Sequence, residues 1–308
     1  MPLAPRRALA FAALIALAVL AVEGVVDEGS ARAKSPPRPA RCAQVMRTGS
    51  FVATVHIEDQ TRTALVRVPR SADGRSAQPL VLALHGAGGN GRFMERYTGL
   101  TQAAAEWGAV MAYPDAEGKF WQLQPSGEQG HDDVAFMRAL VDQLKATVCI
   151  DPKRVYATGV SNGGGLTARL GCEMSDRLAA IAPVAGGYAK LPPCRPDRPV
   201  SLLEVHGTDD AAVPYTQVAP FLGQWSTLDS CANQIVRSRL ALRTLQTTLP
   251  SCAQGTDVEH VKLMGGPHAW PGTPVARLPG HDSRFNATDA IMSFFSQKRL
   301  SAPSPQPR

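Results

Sequence analysis

The sequence predicts an α/β fold, with a mostly parallel central sheet and helices on both of its faces. Three observations predict it. Short apolar runs alternate with helical stretches along most of the 308 residues. Those runs are apolar almost throughout, as strands covered on both faces must be. Four of them end in reactive or small residues, and open parallel sheets collect function at the carboxyl ends of their strands.

Residues 51–58 and 61–69 alternate apolar and polar side chains around Asp59-Gln60, which predicts an opening hairpin. Buried strands are then predicted over 79–84, 109–113, 154–158, 178–184, 200–205 and 258–264. Helices are predicted over 133–148, 161–174, 218–228 and 287–298. Asp132 and Asp133 stand before the first of these helices, and one of them suits its N-cap. No internal repeat and no second-domain boundary is visible, so a single catalytic domain is expected over 51–300. Residues 34–50 read as a flexible N-terminal segment and 301–308 as a disordered Pro/Ser-rich tail.

The most informative stretch is Gly159-Val160-Ser161-Asn162-Gly163. It follows the apolar run Arg154-Val155-Tyr156-Ala157-Thr158 and precedes Leu166, Leu170 and Met174 at helical spacing. A strand turning sharply into a helix through G-x-S-x-G is a nucleophile elbow. The flanking glycines are needed because side chains there would clash, and the serine oxygen is held out at the sheet edge. Three other strand ends add to it. One runs into His85-Gly86-Ala87-Gly88-Gly89-Asn90, one into His206-Gly207-Thr208-Asp209-Asp210, and the last into Gly265-Gly266-Pro267-His268.

The chain order Ser, Asp, His on successive strand ends is that of the α/β-hydrolase triad. A serine hydroxyl needs a neighbouring base to attack, so Ser161 is the expected nucleophile and His268 the expected base. A carboxylate must orient the imidazole, and Asp209 and Asp210 are both available. The backbone N–H groups of Ala87 and Asn162 are expected to form the oxyanion hole. His85 and His206 directly precede glycines in their turns and are assigned structural roles; His56, His131, His260 and His281 have no such setting. A phosphate loop would need G-x-x-x-x-G-K-[ST], which is absent. Trp121, after a strand end, suits either stacking on substrate or the core.

These segments, with His206 to Tyr215 and Gly265 to Gly272, resemble the secreted esterases that include polyhydroxybutyrate depolymerases, feruloyl esterases and acetylxylan esterases. The resemblance spans nearly all of 42–297. It implies an α/β-hydrolase fold and a serine esterase working through an acyl-enzyme, without cofactor or metal. It implies that Asp210 is the triad carboxylate and that Trp270 lines the site. Ala87 and Pro267 depart from it, standing where glycine is common. The implied activity is of the polyhydroxybutyrate depolymerase type on short hydroxyacyl esters. The alternative is a feruloyl or acetylxylan esterase, and a more remote one is a binding protein that keeps the fold without catalysis.

Composition narrows the setting. The formal charge of +6 is spread along the chain without a basic block, which excludes a nucleic-acid footprint. Residues 1–33 read as a signal peptide: Arg6 and Arg7, an apolar run from Ala8 to Val22, then Ala31-Arg32-Ala33. The run is shorter than the roughly 20 residues of a spanning helix, so no stable membrane insertion is expected after cleavage. All six cysteines follow it, and an even number in an oxidising compartment argues for disulfides. No C-x-x-C pair suggests zinc. Cys231 and Cys252 flank the insertion between Asp210 and His268 and are expected to pair. Cys172 follows the nucleophile helix and Cys194 the next strand, which pairs them and leaves Cys42 with Cys149.

Export to the periplasm or medium is therefore expected to remove the chain up to Ala33. N-terminal sequencing of the exported protein checks this, with Lys34 as the expected first residue; an intact Met1 contradicts it.

Overall fold

The computed structural model describes residues 42, 47–57, 59–73, 75–125, 132–273 and 285–301. The signal segment, residues 34–41, the tail beyond 301, His131 and His281 lie outside the described residues. The strands are β1 (Ser50–Ile57), β2 (Gln60–Arg67), β3 (Gln78–Leu84), β4 (Val110–Pro114), β5 (Ile150–Val160), β6 (Ala180–Val184), β7 (Ser201–Gly207), β8 (Val236–Ala241), β9 (Thr244–Leu249) and β10 (Val258–Leu263). The helices are α1 (Gly91–Thr98), α2 (Leu100–Trp107), α3 (Asp133–Thr147), α4 (Asn162–Glu173), α5 (Val218–Leu228) and α6 (Ala287–Ser296).

One sheet takes the order β1-β2-β4-β3-β5-β6-β7-β10-β9-β8. Its centre, from β4 to β10, is parallel. Antiparallel ribbons close both edges: β1 and β2 beside β4, and β9 and β8 beside β10. The strand alternation sorts the core into two layers. Leu80, Leu82 and Leu84 of β3 face a cluster with Phe136 and Leu140 of α3, Leu166 of α4 and Trp225 of α5. Val81 and Ala83 face the opposite cluster, with Met94 of α1, Leu100 of α2, and Ile291 and Phe295 of α6. Burial on both faces is the reason these strands read as continuous apolar runs.

Two hydrophilic joints anchor the helices to this frame. Asp132 caps α3 by accepting from the Val134 N–H and also pairs with Arg169 of α4 at 2.7 Å. Asp133 pairs with the buried Arg62 at 2.7 Å. Three disulfides join Cys42 to Cys149, Cys172 to Cys194 and Cys231 to Cys252. The last closes the insertion that contains β8 and β9.

Four elements have no counterpart in the sequence reading. Helices α1 and α2 are two turns each, separated at Gly99, so neither is long enough to display a helical period. Strand β8 is the sheet edge and is exposed along almost its whole length, so it carries no buried face for a pattern to mark. Its partner β9 is half-buried for the same reason.

The turn from β5 to α4 is packed backbone against backbone. A Cβ on Gly163 would stand 2.4 Å from the carbonyl oxygens of Leu84 and His85, and one on Gly159 would stand 2.4 Å from the Gly163 carbonyl. Backbone cannot yield as a flexible side chain can. Gly163→Ala is therefore expected to destabilise the protein by about 1–3 kcal/mol or more and to abolish esterase activity. Thermal melting and an ester assay check this; a variant with native melting temperature and activity contradicts it.

Candidate active site

Strand β5 ends at Val160, and Ser161 stands outside the helix with φ 60° and ψ −120°. This left-handed backbone costs a non-glycine residue on the order of 1–3 kcal/mol. It is held by the hydrogen bond from the Ser161 N–H to the Val184 carbonyl of β6 (3.0 Å) and by the Gly165 N–H donating to the Ser161 carbonyl (2.9 Å). The serine is thus presented at the carboxyl end of the sheet, with the N-terminus of α4 immediately behind it.

Asp210 follows β7 and His268 follows β10, its parallel neighbour. The two meet with His268 Nδ1 2.7 Å from Asp210 Oδ2. Oδ1 of the same carboxylate accepts from the backbone N–H groups of Ala212 (2.9 Å) and Val213 (2.7 Å). Asp209 is exposed and accepts from Thr208 Oγ1, so the structure separates the two aspartates that sequence left side by side. Burial alone would raise the Asp210 carboxyl, but hydrogen bonds from His206, His268 and the Val213 N–H hold it well below the usual carboxylate range. Asp210 is therefore ionised at any physiological pH, as an acceptor for the imidazole must be.

Ser161 and His268 line one cleft of about 480 Å³ together with Gly86 to Asn90 and Phe93, Arg96 and Tyr97 of α1. No hydrogen bond links Ser161 Oγ to His268 in this structure, a contact that is often long until substrate occupies a serine hydrolase. In the glycine-rich loop, the Gly88 N–H donates to the Lys119 carbonyl and the Gly89 N–H to that of Gly86. The Ala87 and Asn162 N–H groups have no partner among the described residues.

The loop is braced from below. His85 Nε2 accepts from the Ala116 N–H, while Trp121 Nε1 donates to the His85 carbonyl and its ring leans on the His85 ring at 4.8 Å. The Asn162 side chain clamps Trp121 on both main-chain atoms, accepting from its N–H (2.7 Å) and donating to its carbonyl (3.0 Å).

Trp270, expected against substrate, lies elsewhere, and Trp121 takes the core place of its two expected ones. Trp121 is 3% exposed and Trp270 is fully buried, and neither lines the cleft. Trp270 Nε1 donates to Thr288 Oγ1 of α6, and its backbone N–H donates to the Tyr97 hydroxyl. The residue therefore fastens the His268 loop to α1 and α6 from inside the core. A large aromatic beside a catalytic motif satisfies packing more often than it stays bare, and its indole found a partner within the core.

Sequence reasoning also missed α1 as a wall of the site. Phe93, Arg96 and Tyr97 share a helix face at i, i+3 and i+4, with the Phe93 and Tyr97 rings stacked at 5.3 Å. The signal was present in that spacing but was lost in so short a helix. His206, given a structural role from its turn, has a further contact that the sequence did not suggest: its Nε2 lies 3.2 Å from Asp210 Oδ2 and its Nδ1 3.0 Å from Glu204 Oε1.

Burial alone would lower the His206 imidazole, but hydrogen bonds to Asp210 and Glu204 push it up to about 10. A histidine raised in the folded state adds stability that is complete below its unfolded value near ~6.5 and is lost as pH rises through its folded value. Thermal stability should thus decline between about pH 7 and 10, and less so in His206→Gln. Melting curves across that range check it; equal slopes for both proteins contradict it.

The chain is similar to known esterases in sequence and in fold. The family profile described as "Esterase PHB depolymerase" matches residues 62–189. The putative esterase NocK of Nocardia uniformis subsp. tsuyamanensis is 30% identical over 257 residues, 73% of this chain and 73% of that protein. Feruloyl esterase B of Piromyces equi is 30% identical over 231 residues, 68% of this chain but only 42% of that protein. Among solved structures, the acetyl xylan esterase of Aspergillus awamori has a TM-score of 0.61 at 14% identity, over 80% of this chain and 99% of that one. A thermostable esterase has a TM-score of 0.56 at 16% identity, over 81% of this chain and 63% of that one. These structural likenesses show the α/β-hydrolase fold. The family profile and the sequence relatives make the chain a carboxylic ester hydrolase that belongs to the esterase PHB depolymerase family.

Proposed function

We propose that the protein hydrolyses short hydroxyacyl esters by acyl transfer through Ser161. The observation that carries this is the 2.7 Å contact of His268 with the ionised Asp210, at the rim of the cleft that Ser161 opens into. Ser161 Oγ attacks the ester carbonyl while His268 Nε2 takes its proton. The developing oxyanion is met by the N–H groups of Ala87 and Asn162 at the start of α4, where fixed dipoles favour negative charge. The tetrahedral intermediate collapses, and His268 gives the proton to the leaving alkoxide. Water then attacks the acyl-Ser161 ester by the same route in reverse, releasing the acid. Asp210 keeps the Nδ1 proton on its own side of the ring and stabilises the imidazolium.

Helix α1 supports the substrate class. Phe93 and Tyr97 offer flat apolar surface, and the exposed Arg96 guanidinium has no carboxylate partner among the described residues. An apolar floor with a lone cation suits a hydroxyacyl oligomer, which ends in a carboxylate. The stacked pair also favours a second reading, a phenolic acyl ester of the feruloyl class. Three disulfides support export to an oxidising compartment, outside the cytoplasm.

Ser161→Ala and His268→Ala are each expected to lower kcat by roughly 10⁴–10⁶-fold with the fold intact. Asp210→Asn should lower it severely and Asp209→Asn much less. Steady-state kinetics decide this, and the reverse ranking of the aspartates contradicts the assignment.

Substrate choice has its own test. A hydroxybutyrate dimer as the free acid should be cleaved with a kcat/KM about two- to five-fold above its methyl ester, as an exposed ion pair allows. Arg96→Gln should bring that ratio close to one. A ratio of one in the parent protein, with methyl ferulate cleaved faster than either dimer, transfers the assignment to the feruloyl reading.

A further inference from the structure

Behind Asp210 the hydrogen bonds do not stop. They continue inward through five side chains carried on or beside β7 and β10. Asp210 Oδ2 is shared between His268 Nδ1 (2.7 Å) and His206 Nε2 (3.2 Å). His206 Nδ1 reaches Glu204 Oε1 at 3.0 Å, and Glu204 Oε2 reaches His260 Nδ1 at 2.6 Å. Tyr188 donates its hydroxyl to Glu204 Oε1 (2.9 Å), and the Tyr215 hydroxyl lies 2.8 Å from His260 Nε2. The strands account for the arrangement. Glu204 and His206 are two apart on β7 and share a face, and Glu204 stands in register with His260 on β10.

Counting protons fixes the charges. Around His206 every partner is an acceptor: the Glu204 carboxylate at Nδ1, and the Val213 carbonyl (3.0 Å) and Asp210 carboxylate at Nε2. Neither ring nitrogen has a donor to receive, so both carry hydrogen and the ring is an imidazolium. His260 differs, because its Nε2 faces a hydroxyl that can donate, so the neutral ring satisfies it. Glu204 is fully buried and receives donors on both oxygens, which is the setting of an ionised carboxylate. The charges therefore alternate inward as Asp210 negative, His206 positive, Glu204 negative.

We propose that Glu204 and His206 are positioning residues that act through Asp210: the His206 imidazolium, held charged by Glu204, locks the shared Asp210 oxygen and weakens its pull on His268, tuning the base for acyl transfer. This rests on the reading of His268 as the base. A naked Asp210 would hold a proton on His268 more tightly, leaving less of the free base near neutral pH. The buried cation offsets part of that pull, and Glu204 keeps the cation from losing its own proton. The groups facing His206 are Glu204 from β7, His260 and, beyond the Tyr215 ring, Lys262 from β10. The Tyr188 and Tyr215 rings complete the shell, with Asp210 and His268 on the cleft side.

Two measurements test this, and one needs no substitution. In protein labelled with ¹⁵N-histidine, His206 should give two protonated ring nitrogens from pH 6 to 9, assigned by the loss of its signals in His206→Gln. A single protonated nitrogen at pH 7 overturns the proposal, and this readout is independent of whether His268 is the base. The second is the pH profile of kcat/KM on a neutral short-chain ester. His206→Gln removes the near positive charge and leaves Glu204, so the acid limb should move up by about one pH unit. Glu204→Gln removes both charges of the pair, the nearer being the positive one, so the limb should move in the same direction by less. A fall in kcat with the limb unmoved in both variants shows structural support only and overturns the proposal. Activity surviving in His268→Ala would instead defeat the reading of the base, while leaving the charge state of His206 as measured.

Discussion

The approach of three backbones at the elbow is the constraint on which the rest depends. The end of β3, the end of β5 and the first turn of α4 pass so close that glycine alone fits at positions 159 and 163. Ser161 is forced into a left-handed conformation there, and neighbouring strand β6 holds it through the Val184 carbonyl. The same closeness brings the glycine-rich loop after β3 beside the start of α4, and Gly86 to Asn90 line the cleft together with Ser161. A strained serine and a glycine-rich cleft wall beside a helix N-terminus are consequences of one packing event.

The second half of the site is assembled by β7 and β10. Because these strands are parallel neighbours, the loops that follow them emerge side by side, and Asp210 meets His268 without any long excursion of the chain. The His268 loop is then pinned from the core by Trp270 and from α1 by the Tyr97 hydroxyl. The imidazole is thus fixed at one end by charge and at the other by packing. The face of α1 that carries Phe93, Arg96 and Tyr97 lines the same cleft.

Much of this was legible in the sequence because it follows from local chemistry. The buried strands announced themselves as continuous apolar runs, and the G-x-S-x-G stretch could sit only where a strand turns sharply into a helix. Residue chemistry alone left Asp209 and Asp210 side by side, and only the resemblance singled out Asp210, because their difference is one of burial, which the packing of β7 against β10 decides. Trp270 was misread, and Trp121 left open, for a related reason. Their position beside functional motifs is visible in sequence, whereas the hydrogen bonds that draw their indoles inward, to the His85 carbonyl and to Thr288, join residues far apart in the chain. The Glu204–His206–His260 chain was hidden likewise: its members lie on two strands, and an acid within an apolar run carries no sign of its partner.

The central claim is that the strained turn presents a serine made reactive by the histidine three strands away. Labelling with a fluorophosphonate, followed by peptide mass spectrometry, tests it most directly. One adduct per chain, located on Ser161 and formed far more slowly in His268→Ala, is the result this account predicts. No adduct, or an adduct on a different serine at an undiminished rate in His268→Ala, would contradict it.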